Sequence, residues 1–147
     1  MSERDDSGSR PDQPVILVGI DESEASRAAM RWAVREARLT HARIQAVAVW
    51  HLPQTFGHVP GPPCDVLQDE ARAWLNHAIP PDSGVPTDTV VVRGDPTAVL
   101  LDHASRASLI VLGNHGHGAL HSALLGSVAH GCAHRARCPV VLVPSPS

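Results

Sequence analysis

Three glycines in six residues, within Gly113-Asn114-His115-Gly116-His117-Gly118, stand directly after a short apolar run. Gly126-Ser127 follows, its glycine ten residues beyond Gly116. Glycines so placed let backbone N–H groups approach a ligand closely and form an anion-binding concavity. Gly126 and Ser127 fall in the opening turns of a helical pattern, where free N–H groups and the helix dipole favour negative charge. The serine adds a hydroxyl donor, and together these groups could hold a di- or triphosphate. Gly19-Ile20-Asp21 is the second candidate, a carboxylate at the end of another apolar run. A tight strand-to-helix turn would use the same glycines, so the residues alone leave both readings open.

The composition decides how such an anion would be held. The chain has 147 residues, and all twelve of its basic residues are arginine, with no lysine anywhere. A Walker-type P-loop, a pyridoxal Schiff base, a kinase-type ATP lysine and a lysine base are therefore excluded. Backbone N–H groups, hydroxyls, Arg and His remain. Fifteen acids leave a net charge of −3, without the basic stripe of a nucleic-acid binder. No apolar run is long enough to span a membrane, and the polar, acidic first ten residues do not resemble a signal peptide. Cys64, Cys132 and Cys138 form no CxxC pair, which argues against a disulfide framework or zinc ribbon and suits the reducing cytosol. A cytoplasmic domain without a membrane segment is the expectation.

The elements that must position these residues follow from periodicity. Residues 1–13 are almost devoid of apolar side chains and read as a disordered lead-in. Val15 to Ile20 reads as a strand buried on both faces. Asp21-Glu22-Ser23 supplies helix-starting chemistry, and Ala25, Ala28, Ala29, Trp32, Ala33 and Ala37 predict a helix ending near Thr40. Arg43 to Trp50 predicts a second strand, and His51 to Asp65 a long Pro- and Gly-rich loop. A second helix is predicted from Val66 to Ala78, stopped by Pro80-Pro81. Thr89 to Val92 predicts a third strand. Asp95 is the expected cap and Pro96 the first position of a third helix, which carries Val99 to Ala107. Leu109 to Leu112 predicts strand four, Ser122 to Ala136 helix four, and Val140 to Val143 strand five. This alternation predicts an α/β fold: a five-stranded parallel, Rossmann-like sheet with helices on both faces. Ligands in such sheets sit at the carboxyl ends of the strands, where the winding reverses.

Gly113-x₂-Gly116-x₉-Gly126-Ser127 resembles the ATP-binding signature of the universal stress protein family, G-x₂-G-x₉-G-[S/T]. The likeness extends to Val18 through Ser26, which resembles that family's first strand and aspartate-serine turn. Val47 to Trp50 is similar to the end of its second strand, and Cys138 to Pro144 to its closing strand, so that residues 14–144 form one family domain. The resemblance implies an adenine nucleotide alpha hydrolase-like fold and bound ATP, with Mg²⁺ or Mn²⁺ carried on the phosphates. It implies that Gly19 and Asp21 lie beside the ribose, Asp21 accepting from its hydroxyls, and that Val49 lines the adenine pocket. Leu112 and Gly113 would contact the nucleotide, while Gly116, Gly126, Ser127 and Val128 cradle the phosphates. It also implies a homodimer through Val140 to Val143. His115 and His117 depart from the family, standing where many relatives place Arg or Lys; nucleotide binding is expected to strengthen as pH falls through the histidine range.

The function this supports is a non-enzymatic, nucleotide-dependent stress-response protein with an unidentified protein partner. One alternative keeps the fold and makes it a slow ATPase or nucleotidyl-transfer enzyme, with His115, His117 or Asp21 as base. The other is an interaction module that binds no nucleotide. His130 and His134 stand i, i+4 on the fourth helix with Cys132 between them, but a solvated helix face is the expectation there rather than a metal site. No Gly-x-Ser-x-Gly elbow occurs, Cys132 belongs to the apolar helix face, and the three tryptophans are expected in the core. The arginines of the first helix, Arg27, Arg31, Arg35 and Arg38, read as a solvated stripe.

Overall fold

The computed structural model describes residues 13–52, 61–115 and 125–146. Its elements run β1 (Val15–Ile20), α1 (Glu24–Thr40), β2 (Arg43–Trp50), α2 (Cys64–Ala78), β3 (Thr87–Arg93), α3 (Pro96–Ala104), β4 (Leu109–Gly113), α4 (Ser127–Arg135) and β5 (Val140–Val143). All four strand pairings are parallel, in the spatial order β3-β2-β1-β4-β5. The expected five-stranded parallel sheet is thus present, and its winding reverses between β1 and β4.

Two apolar layers cover the sheet. On one face α1 and α2 bury Met30, Ala33, Val34, Ala71 and Leu75 against Ile16, Val18, Ile44 and Val111. On the other, α3 and α4 bury Leu100 and Cys132 against Leu17, Val47, Ile110 and Leu112. Alternate residues of β1 and β4 therefore serve opposite layers, which is why both strands read as unbroken apolar runs. Each fully buried Leu or Ile in these layers contributes roughly 1.5–3 kcal/mol relative to exposure. The predominance of alanine on α1 lets that helix lie close to the sheet, an arrangement suited to a core with few aromatic side chains.

Several boundaries differ from the sequence expectation, and β4 runs one residue further, to Gly113. Helix α2 starts two residues early, at Cys64, behind Pro63; the fixed φ of proline suits a helix entrance. Strand β3 runs from Thr87 to Arg93 rather than Thr89 to Val92, because its whole length pairs with β2, from Ile44↔Thr87 to Trp50↔Arg93. Helix α3 ends at Ala104, and Ala107 lies in the turn beyond, its N–H donating to the Ala104 carbonyl at 3.0 Å. Helix α4 starts at Ser127, since Leu125 is non-helical and Gly126 is extended at φ −63°, ψ 159°. The expected earlier start at Ser122 lies outside the described residues. So does the lead-in, apart from Gln13, whose Nε2 donates to the His41 carbonyl at 3.2 Å.

Candidate functional site

Strands β1 and β4 pair from Ile16↔Leu109 to Val18↔Val111 and no further. Beyond that rung β1 stays with β2 as far as Ile20↔Ala48, while β4 stays with β5 as far as Gly113↔Val143. The two strands diverge, and a crevice opens at their carboxyl ends, as the reversed winding requires. A cleft of about 830 Å³ occupies it, within the roughly 300–1,000 Å³ of small-molecule sites.

The wall formed by the start of α1 is an interlocked turn. Asp21 Oδ1 accepts from the Ser23 N–H at 2.8 Å and from the Ser23 hydroxyl. Ser23 Oγ in turn accepts from the Ser26 N–H at 3.1 Å as the N-cap of α1. Ser26, only 3% exposed, donates its hydroxyl to the Asp21 carbonyl at 3.0 Å. These bonds fix the Asp21 carboxylate at the cleft while engaging one of its two oxygens. The start of α3 is closed similarly, because Asp95 Oδ2 accepts from the Ala98 N–H at 2.9 Å.

The start of α4 is different. Its N-cap is Gly126, which offers no side-chain cap. The Gly126 N–H donates to the Asn114 carbonyl at 2.8 Å, and the Asn114 N–H donates to the Val143 carbonyl at 2.9 Å. Asn114 thereby clamps the first turn of α4 to the end of β4. Gly126, Ser127, Val128 and Ala129 of that turn line the cleft, and no side chain caps it. Beside them, Asn114 Oδ1 and His115 Nδ1 are buried and have no hydrogen-bond partner among the described residues. Orphaned buried polar atoms of this kind carry a desolvation cost unless a ligand or water meets them.

The structure brings together Gly19, Asp21, Val49, Leu112, Gly113, Gly126, Ser127 and Val128 around this one cleft. Gly116 and His117 lie outside the described residues. For Gly113 there is a packing reason for glycine: a Cβ there would stand 2.6 Å from Ala25 Cβ and 2.9 Å from the Ser26 nitrogen. The first turn of α1 fills that space. Gly19 is tight too, although its Cβ would meet only side-chain ends, Leu112 at 2.6 Å and Leu100 at 3.1 Å.

Sequence reasoning missed the far wall. Leu67, Glu70 and Trp74, on one stripe of α2, line the cleft opposite α4, together with Trp50 and His51 at the end of β2. Trp50 is 9% exposed, with the Arg93 guanidinium 5.8 Å from its ring centre. The i, i+3, i+7 spacing was a visible signal for α2, but core packing explains the same spacing. Away from the cleft, the His130 and His134 rings approach to 4.4 Å on the exposed face of α4. Among the described residues no group of three or more His, Cys, Asp or Glu gathers as a metal set.

The sequence model of the Universal stress protein family matches residues 14–144. The chain belongs to the universal stress protein family. Universal stress protein Rv2005c of Mycobacterium tuberculosis is 35% identical over 138 residues, covering 90% of this chain and 46% of its own length. Universal stress protein Rv2623 of the same organism is 37% identical over 139 residues, 87% of this chain and 46% of its own. The chain thus spans about half the length of these universal stress proteins. Among solved structures, UspA from Lactobacillus plantarum superposes with a TM-score of 0.70 at 27% identity, over 88% of this chain and 97% of that one. A universal stress protein in complex with cAMP superposes at 0.62 with 26% identity, over 91% and 98%.

Proposed function

We propose that this chain binds an adenine nucleotide in the β1/β4 cleft and acts as a nucleotide-dependent regulator in a stress response, without turning the nucleotide over. One observation carries this reading: in a universal stress protein fold, the uncapped start of α4 and His115 line the crevice where β1 and β4 part. The cAMP-bound relative supports the choice of adenine. Asp21 would take the ribose, Val49, Trp50 and Trp74 would enclose the base, and Gly126, Ser127 and Val128 would hold phosphate. The bound form in this reading is ATP, with Mg²⁺ or Mn²⁺ riding on its phosphates, and the compartment is the cytoplasm. No helix among the described residues is long and apolar enough to cross a membrane.

The second part of the reading is a homodimer through β5. Val140 to Val143 form a sheet edge, and each is only half-buried. An apolar edge of this kind is a liability unless something pairs with it. Native mass spectrometry of the purified full chain tests both parts together. A dimer carrying an adenine nucleotide is the expected species, and a bare monomer that binds no added nucleotide overturns the reading. Linear ADP production above that of a Ser127→Ala control would overturn the non-enzymatic part alone.

A further inference from the structure

Two histidines on the outer face of α4 take no part in the cleft. His130 and His134 stand one helical turn apart and both are exposed. Their ring centres lie 4.4 Å apart, with the planes inclined at 49°. Two other helical histidines behave differently: His77 and His103 each tie Nδ1 to the carbonyl four residues back, at 2.7 and 3.0 Å. Among the described residues, no hydrogen bond engages a ring nitrogen of His130 or His134. Gly131 and Ala133 place no long side chain between the two rings. Cys132 is fully buried in the opposite direction, in the layer against α3. Arg135, the next residue in the chain, opposes a cation here. The carboxyl end of the helix, where His134 occupies the last turn, favours one.

We propose that His130 and His134 form a two-nitrogen chelate for a divalent transition metal, tightest for Cu²⁺ and weaker for Ni²⁺ and Zn²⁺. Histidines at i and i+4 share one helix face and present nitrogens to a single ion. With nitrogen–metal bonds of about 2.0–2.1 Å, two adjacent ligand nitrogens stand about 3 Å apart. Rings centred 4.4 Å apart reach that spacing by small rotations about their side-chain bonds. The order of preference follows the general affinity series of first-row metals for imidazole, and Mg²⁺ and Ca²⁺, which suit oxygen ligands, are not held. Among the described residues no third ligand joins the pair, so water fills the remaining coordination positions. The glutamate of a hydrolytic His-Glu-x-x-His helix is absent, and the pair therefore binds metal without acting on a substrate. The site is independent of the nucleotide reading.

The test is calorimetric titration of the full chain with Cu²⁺ alone, together with electron paramagnetic resonance of the bound ion. Parent, His130→Ala, His134→Ala and the double variant are compared. The parent should hold its tightest Cu²⁺ through two imidazole nitrogens. Either single substitution should lower that affinity about tenfold or more, and the double variant should fall little further, because the second ring adds its affinity only while the first is bound. His77→Ala, whose ring nitrogen is already engaged, should leave the affinity unchanged. Both substituted positions are exposed, so urea unfolding without metal should match the parent within about 0.5 kcal/mol, which separates a lost ligand from a lost fold. Small losses that simply add in the double variant mean two independent histidines and overturn the chelate. A tightest Cu²⁺ that survives both single substitutions with its affinity and spectrum unchanged overturns the site outright.

Discussion

Three helices begin at the same cleft, and two of them are finished by their own side chains while the third is not. Ser23 caps α1 and Asp95 caps α3, but α4 begins at a glycine with no side chain to offer. A helix start leaves its first N–H groups without intrahelical partners. At α1 and α3 those groups serve stability. At α4 no described side chain caps them, and two buried polar atoms nearby likewise lack a hydrogen-bond partner among the described residues. The contrast separates residues that hold the cleft together from residues that a ligand would complete.

The largest effect should come from the structural side. Gly113→Ala drives a methyl into the backbone of α1 and should cost about 2–3 kcal/mol in urea unfolding, as overpacking does. Gly19→Ala, which meets only side-chain ends, should cost less; equal losses would mean that the α1 contact is not rigid. Next, Ser127→Ala should weaken nucleotide binding about tenfold while moving stability by less than about 0.5 kcal/mol. Ser23→Ala should do the reverse in kind, costing about 1 kcal/mol of stability through the lost cap. If Ser127→Ala destabilised the fold as Ser23→Ala does, the division between the two helix starts would collapse.

Two smaller effects sharpen it. His115→Ala should weaken nucleotide binding a few-fold with little change in stability, and an unchanged affinity would remove His115 from the phosphate end. On the structural side, burial pushes the Cys132 thiol above its ordinary range, and the smaller effect of Cys138 acts in the same direction against Arg135. The neutral thiol is therefore favoured by folding. Its contribution is complete at neutral pH and is lost as pH climbs through and beyond the ordinary thiol range. In the native protein a thiol reagent should label exposed Cys64 quickly and reach Cys132 only on unfolding.

The fold was almost wholly legible because each strand is a short β-branched run and each helix a spaced alanine or leucine pattern. The caps were legible too, since Ser23 and Asp95 act through neighbours two to five residues away. Both sides of the crevice at Gly19-Ile20-Asp21 and at Leu112-Gly113 were visible in the same way. What escaped depends on distance along the chain. Nothing local marks Glu70 or Trp74 as cleft residues, because their position follows from how α2 lies across β2. The role of Gly113 was hidden for the same reason, since its crowding comes from Ala25, eighty-eight positions earlier in the numbering. The entrance of α4 at Ser127 is not legible locally, because apolar spacing before Gly126 carries no sign of where the first helical hydrogen bond forms.

The clamp at Asn114 bears on how such a protein can change over time. Its N–H reaches the Val143 carbonyl of β5 and its carbonyl takes the Gly126 N–H, so one residue joins the end of β4, the end of β5 and the entrance of α4. Both bonds use main-chain groups, which every residue except proline can supply. The side chain at this junction is therefore free to vary while the junction itself persists, and the three elements keep their relative placement through such changes.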